Sequence, residues 1–231
     1  MSSIETVTGP SNRAVAPAWH TVIVVAALLA ISIIGARTTQ LSAVDTHKRL
    51  VGYTVSIVFE WAMAGFIWYG LSRRGLSVSE LVGGRWARPT AIFRDIGIAL
   101  VFLLVSTLVL NGLSYLLKSA TNQATRNMLP RSPVEIAVYL FLALTAGFCE
   151  ELIFRGYLQR QFTVLTRTAA GGIVLQSIAF GASHGYQGWK SMLLITVFGV
   201  MFGLLAYWRR SLRPGMIAHF LQDGVAGLLA R

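Results

Sequence analysis

Long apolar stretches separated by short, mostly basic loops set the pattern of this chain. A helix needs roughly 20 apolar residues to cross ~30 Å of hydrocarbon, and several stretches reach that length. The first runs over about 20–36, all-round hydrophobic and suited to lipid. The second, about 51–71, holds Glu60 beside Trp61 and ends on the aromatic pair Trp68-Tyr69, which fits a membrane interface; Glu60, isolated in sequence, reads as an inter-helix hydrogen bond or as a contribution to a polar cavity. A connector at 72–95 carries Arg73, Arg74, Arg85, Arg88 and Arg94, with glycines and Pro89 that break a continuous helix. The third span covers about 96–117, with Ser106, Thr107 and Asn111 as mild polar interruptions.

After a polar loop at 118–131, Ser132-Pro133-Val134-Glu135 predicts a helix start. Serine suits the cap, proline the first turn, and glutamate three residues on completes a capping box. This fourth helix is expected to continue through Glu150 to about 165. A turn near Arg167 follows, and Gly171-Gly172 opens a fifth helix that contains Phe180 and His184. A sixth span at about 191–208 carries Gly199 and Gly203, spaced for close helix approach. The last helix begins at Arg213-Pro214. How residues 185–191 join the sixth span is open, with a broken or re-entrant helix as one solution.

The expected architecture is therefore an all-α, polytopic transmembrane bundle of about seven helices, six to eight by this pattern. Residues 1–18 read as a polar, mobile tail without the features of a signal peptide. Residues 19–231 read as one membrane-embedded domain, with a motif-bearing core at 133–231. Hydrophobic residues make up 55% and charged residues 13%, which excludes an ordinary soluble domain. The formal charge of +11 does not point to nucleic acid, because Lys and Arg sit in loops between spans and not along one face. Membrane lipids are the expected surroundings, in a multi-pass cell-membrane protein. A modest Lys and Arg bias puts the 72–95 and 209–213 loops inside, the amino terminus with them; a helix four–five hairpin projecting beyond the inner face, as the polar stretch 156–168 favours, then puts the polar groups in the inner leaflet. The single cysteine, Cys149, excludes an intrachain disulfide.

Three polar clusters interrupt the later apolar helices: Glu150, Glu151 and Arg155; His184; and His219 with Asp223. Ionised groups in hydrocarbon cost solvation that only partners or a wet cavity return, so these positions are candidates for function. Glu151 and Arg155 face each other one turn apart and can pair, leaving Glu150 without that partner. Glu150 and His184 lie equally far from the turn at Arg167, so their side chains reach similar depth. Together the clusters resemble a hydrolytic site. A glutamate takes a proton from water, a histidine orients that water, and a second histidine with a polar neighbour faces the oxyanion. Cys149 reads as a packing residue. Ser183 lacks the turn of a nucleophile elbow. A metal stays open as an alternative: Glu150, His184 and His219 form a workable zinc set, although no HExxH pairing occurs.

At these residues the chain resembles the intramembrane CAAX proteases and bacteriocin-processing or self-immunity proteins, the CPBP or Abi family. That family's EExxxR motif reads here Glu150-Glu151-Leu152-Ile153-Phe154-Arg155. Its FxxxH motif is Phe180 through His184, and its third motif is His219 followed four residues later by Asp223. The resemblance covers about 133–231. It implies an endopeptidase acting on a peptide or protein substrate, with lipidation of that substrate left open and no obligate cofactor. In it, Glu150 and His184 activate water, His219 and the residue at 223 stabilise the oxyanion, and Glu151, Arg155 and Phe180 support the site. Prenyl-protein members carry Asn at the last position where this chain has Asp223; an aspartate there must be protonated, hold His219 or assist a metal. The alternative reading is a non-catalytic membrane immunity or scaffold protein that binds a peptide or partner in the same polar cavity.

Overall fold

Backbone polar groups in hydrocarbon must find partners within their own segment, and this chain meets that demand with helices. The structure is a computed structural model that describes residues 14–38, 45–119 and 123–229. Among the described residues there is no strand. Five helices are long and apolar enough to span a membrane: α1 (Ala18–Thr38), α2 (Thr46–Ser72), α4 (Pro89–Leu116), the composite rod Pro133–Thr166, and α9 (Trp189–Arg209). Two shorter helices, α8 (Ala169–Ser183) and α10 (Arg213–Leu229), complete the expected seven. Short helices α3 (Val78–Val82) and α5 (Gln123–Met128) occupy stretches read as connector and loop. Val22, Ile33, Val58, Leu100, Leu104 and Leu108 are exposed on α1, α2 and α4, a surface that only lipid would cover favourably.

The fourth rod is not uniform. It runs as α6 (Pro133–Glu150), widens into a π-helical segment at Glu151–Leu158, and resumes as α7 (Gln159–Thr166). All eight residues of the wide segment are buried. Such insertions recur at functional sites because they re-aim side chains that a regular helix would carry elsewhere. The start of α6 forms half the expected capping box. The Glu135 N–H donates to Ser132 Oγ at 3.3 Å. The Glu135 carboxylate, however, accepts from Arg49 Nη2 at 2.9 Å and from the Arg131 N–H at 2.6 Å. A buried arginine on α2 thus outcompetes the local cap. Arg167 takes the left-handed conformation at φ 59°, and Thr168 caps α8, so the expected turn is present.

Small residues and amide side chains hold the bundle together. A Cβ on Gly199 would meet Ser177, and one on Gly203 would meet Gln176, so α8 and α9 approach closely where the glycine spacing predicts. Gln176 Nε2 donates to the Gly199 carbonyl and Gln159 Nε2 to the Gly203 carbonyl, each at 3.1 Å. Gly147 does the same for α6 and α10: its Cβ would lie 2.9 Å from the Met216 carbonyl. α1 is fixed by His20, whose Nδ1 pairs with Tyr157 Oη at 2.7 Å. Its Nε2 pairs with the Phe66 carbonyl at 2.9 Å. Residues 1–13 of the expected tail lie outside the described residues, but Val15 and Ala16 are buried, and Gln161 Oε1 accepts from the Val15 N–H at 2.8 Å. The end of that stretch therefore packs, because Gln161 supplies the backbone partners it needs in an apolar setting.

The basic connector folds back on α10 through one buried carboxylate. Asp95 accepts from Trp86 Nε1 at 2.9 Å and from Arg209 Nη2 at 3.3 Å, with Arg213 Nε 3.6 Å away. The Leu212 N–H also donates to the Val82 carbonyl at 3.0 Å. This anchors the start of the helix that carries His219. Between α8 and α9 the chain makes one 3-10 turn at Gly185–Gln187, then Gly188 at φ 87° redirects it. The open junction is thus a broken helix, and the break leaves His184 at the end of α8.

Gly147→Ala would push a methyl group into the backbone of α10. It is expected to destabilise the protein by about 1–3 kcal/mol, read as a lowered unfolding midpoint in detergent.

Candidate active site

Desolvation makes a buried charge unfavourable unless geometry returns the loss, and the polar groups of the fourth rod are arranged accordingly. Glu151 and Arg155 are both buried, with Arg155 Nη1 3.0 Å from Glu151 Oε1. The pairing read from their spacing is present, inside the π-helical segment. The guanidinium also lies over two rings, 4.3 Å from the centroid of Phe180 and 4.9 Å from that of Phe202. Arg155 Nε and Nη2 have no acceptor among the described residues, so these aromatic faces are the remaining compensation.

Glu151 then reaches α10. His219 Nδ1 donates to Glu151 Oε1 at 3.2 Å, because a carboxylate held by arginine can only accept. That bond fixes the ring and turns Nε2 to the opposite side. There it faces Glu150 Oε2 at 3.5 Å and Asp223 Oδ2 at 3.7 Å. Phe202 walls the imidazole, with centroids 5.3 Å apart. Gly215 leaves room for Glu151 Oε2, which would lie 2.9 Å from a Cβ at that position. Neighbouring glutamates therefore play different parts: Glu151 is sealed, with a side chain 1% exposed, whereas that of Glu150 is 17% exposed and lines a cavity.

His184 enters the same cavity from the end of α8. Its Nδ1 donates to the Phe180 carbonyl at 2.9 Å, the last-turn bond that an interrupted helix leaves available. Nε2 makes no hydrogen bond to protein among the described residues. Ser183 Oγ donates to the same carbonyl at 2.7 Å, so its proton is committed to backbone. Cys149 is a buried free thiol. Phe180 links the clusters physically: its ring packs edge-on against Phe154, His184 and His219 at centroid distances of 4.8, 4.9 and 6.2 Å.

The cavity has a volume of about 580 Å³ and runs along α1 and α2. Glu150, His184, Ser183 and Tyr186 lie on its wall with Glu60, while His47, Lys48 and Arg49 line it further along α2. Asp223 reaches the cluster through His219 and does not line this cavity. Glu60 was not among the residues that the sequence reading assigned to the site. Of its two expected roles, the inter-helix hydrogen bond is absent for Oε2, which is buried without a partner among the described residues, whereas the side chain does line a partly polar cavity. The signal was available: a lone carboxylate in an apolar span is a candidate by default. Its companion Glu150 is remote in sequence, so only packing reveals the grouping. Among the described residues, no group of three His, Cys, Asp or Glu side chains is set to hold a metal ion.

Comparison with known proteins points the same way. Residues 132–225 match the family model of type II CAAX prenyl endopeptidase Rce1-like proteins. This segment includes all three motifs and about two fifths of the chain. The uncharacterized protein YpbD of Bacillus subtilis (strain 168) is 32% identical over 88 residues, 37% of this chain and 42% of that protein. The matched part thus spans less than half of that relative. No solved structure matches the chain. The resemblance read from the motifs is accordingly a family-level match of the carboxy-terminal part, and with the five long apolar helices it describes an integral membrane protein.

Arg155→Met should destabilise the fold by about 3–5 kcal/mol, because Glu151 is left as an uncompensated buried charge. Replacing both partners with Leu and Met should cost clearly less. Thermal unfolding of the two variants in the same detergent checks the order.

Proposed function

We propose that the chain is an intramembrane endopeptidase in which Glu150 and His184 activate water without an obligate metal. The observation that carries this reading is the single cavity wall shared by Glu150 and His184, with His219 Nε2 3.5 Å from the Glu150 carboxylate. Water bound between Glu150 and His184 gives a proton to the Glu150 carboxylate as its oxygen attacks the peptide carbonyl. His184 accepts a hydrogen bond from that water at Nε2, a role open to it because Nδ1 holds its proton against the Phe180 carbonyl. The tetrahedral oxyanion forms near His219, where a proton on Nε2 serves as donor. Collapse of the intermediate breaks the C–N bond, and Glu150 returns the proton to the leaving amine.

Asp223 in this scheme holds the outer edge of His219 and does not touch the oxyanion. Its 3.7 Å separation from Nε2 supports an electrostatic role over a tight hydrogen bond. Glu151 and Arg155 keep the imidazole oriented, the way second-shell carboxylates orient catalytic histidines. The substrate in this reading is a peptide or protein segment, which the match to the Rce1-like endopeptidase model supports. We place the reacting groups toward the face that carries the arginine-rich connector, the inner face by the charge bias.

Glu150→Ala and His184→Ala should each lower peptide cleavage by a factor of 10² or more while membrane insertion and the unfolding midpoint hold. Turnover retained in both variants overturns the reading. Cleavage should also persist after incubation with a strong chelator, and loss that zinc restores would replace the metal-free scheme. Wild-type protein that binds peptides tightly without cutting any would favour the non-catalytic scaffold.

A further inference from the structure

We propose that the part of the cavity lined by Glu60 and Glu150 is a subsite for a cationic side chain of the substrate, lysine or arginine, and that Glu60 selects it. The inference deepens the peptidase reading and rests on it only in taking a peptide as the ligand. It starts from one orphaned atom. Glu60 is 9% exposed, lies on the cavity wall with Glu150, and its Oε2 has no hydrogen-bond partner among the described residues. A carboxylate oxygen buried without a donor is a cost that a ligand can remove.

Acidic groups crowd around it. Glu60 is within electrostatic reach of Glu150 and Asp223, so three carboxylates share this end of the protein. The nearby arginine, Arg155, is committed to Glu151. His219 holds Glu151 through Nδ1, and His184 holds a backbone carbonyl. The surrounding wall is apolar, with Leu28, Ile31, Phe59 and Ile153 lining the same cavity. An ammonium or guanidinium group answers these acidic groups, and its aliphatic stem suits those walls.

The cavity also supplies a direction. Arg49, Tyr53, Ser56 and Glu60 follow one another at helical spacing and line it along one face of α2. Arg49 and Glu60 are about 16 Å apart along the axis and about 20° apart around it. At the Arg49 end the buried pair with Glu135 is internally neutral, and Lys48, which is exposed, adds positive charge. The cavity therefore runs from a cationic end near Lys48 to an end lined by the carboxyl groups of Glu60 and Glu150. A peptide bearing a cationic residue is drawn in with that residue leading, toward Glu150, and about five extended residues fill the distance back to Lys48.

The test uses the full chain in lipid nanodiscs and a set of fluorogenic peptides identical except for Lys, Arg, norleucine or citrulline beside the cleaved bond. Wild-type protein should favour Lys or Arg over the uncharged analogues by tenfold or more in kcat/KM. Glu60→Gln, which keeps shape and removes charge, should bring that ratio close to one, and Glu60→Asp should retain part of it. No preference in the wild type, or a preference that survives Glu60→Gln, overturns the inference while leaving the peptidase reading intact. If no peptide is cut, the same set is measured for binding by fluorescence anisotropy. Cationic preference lost in Glu60→Gln then sustains the subsite although the peptidase reading fails, and equal binding of all four peptides overturns it.

Discussion

A buried charge survives in a hydrophobic bundle only when something nearby answers it, and here the pairing of Arg155 with Glu151 is the contact on which the rest depends. It lies inside the π-helical segment and is covered by Phe180 and Phe202. Because arginine holds one face of Glu151, the same carboxylate oxygen can accept from His219 on another helix. Removing either partner would therefore disturb the fold and the site together. Replacing both would spare the fold more than the site, since a buried ion pair contributes orientation more reliably than stability.

Orientation propagates outward from that contact. With Nδ1 of His219 engaged, Nε2 is directed at Glu150 and Asp223. The helix break after Ser183 does the corresponding work for His184, whose Nδ1 bonds to the Phe180 carbonyl and leaves the other nitrogen for the cavity. Both histidines thus have one nitrogen fixed by the protein. The arrangement depends on close helix approach, which Gly147 and Gly215 permit on either side of the acidic pair.

Irregular backbone is confined to places where it is compensated. The widened turn at 151–158 is wholly buried in protein, and the break at 185–188 leads onto the cavity. Neither would be tolerated facing lipid, where an unsatisfied amide finds no partner. The connector between α2 and α4 shows the same economy. Its charges look like simple topology signals, yet Asp95 accepts from Trp86 and pairs with Arg209 and Arg213 from the 209–213 loop, and so fixes the end of α10 nearest His219.

The one-dimensional chain determines its helical membrane character, because apolar runs of that length have few other folds in hydrocarbon. It also determines the pairing of Glu151 with Arg155, since four-residue spacing makes them neighbours in any helix. The turn at Arg167 and the approach at Gly199 and Gly203 are equally local and equally legible. What the sequence could not carry is the use to which local groups are put across helices. The Ser132–Glu135 cap is overridden for the Glu135 carboxylate because Arg49 arrives from another element. Glu60 looks solitary until α2 packs beside α6, and Asp95 gives no sign of its partners. Glu151 reads as support for Arg155, and only the position of α10 makes it the anchor of His219. Local spacing fixes contacts within a helix; contacts between helices depend on crossing geometry, which many similar apolar patterns share and only the packed bundle decides.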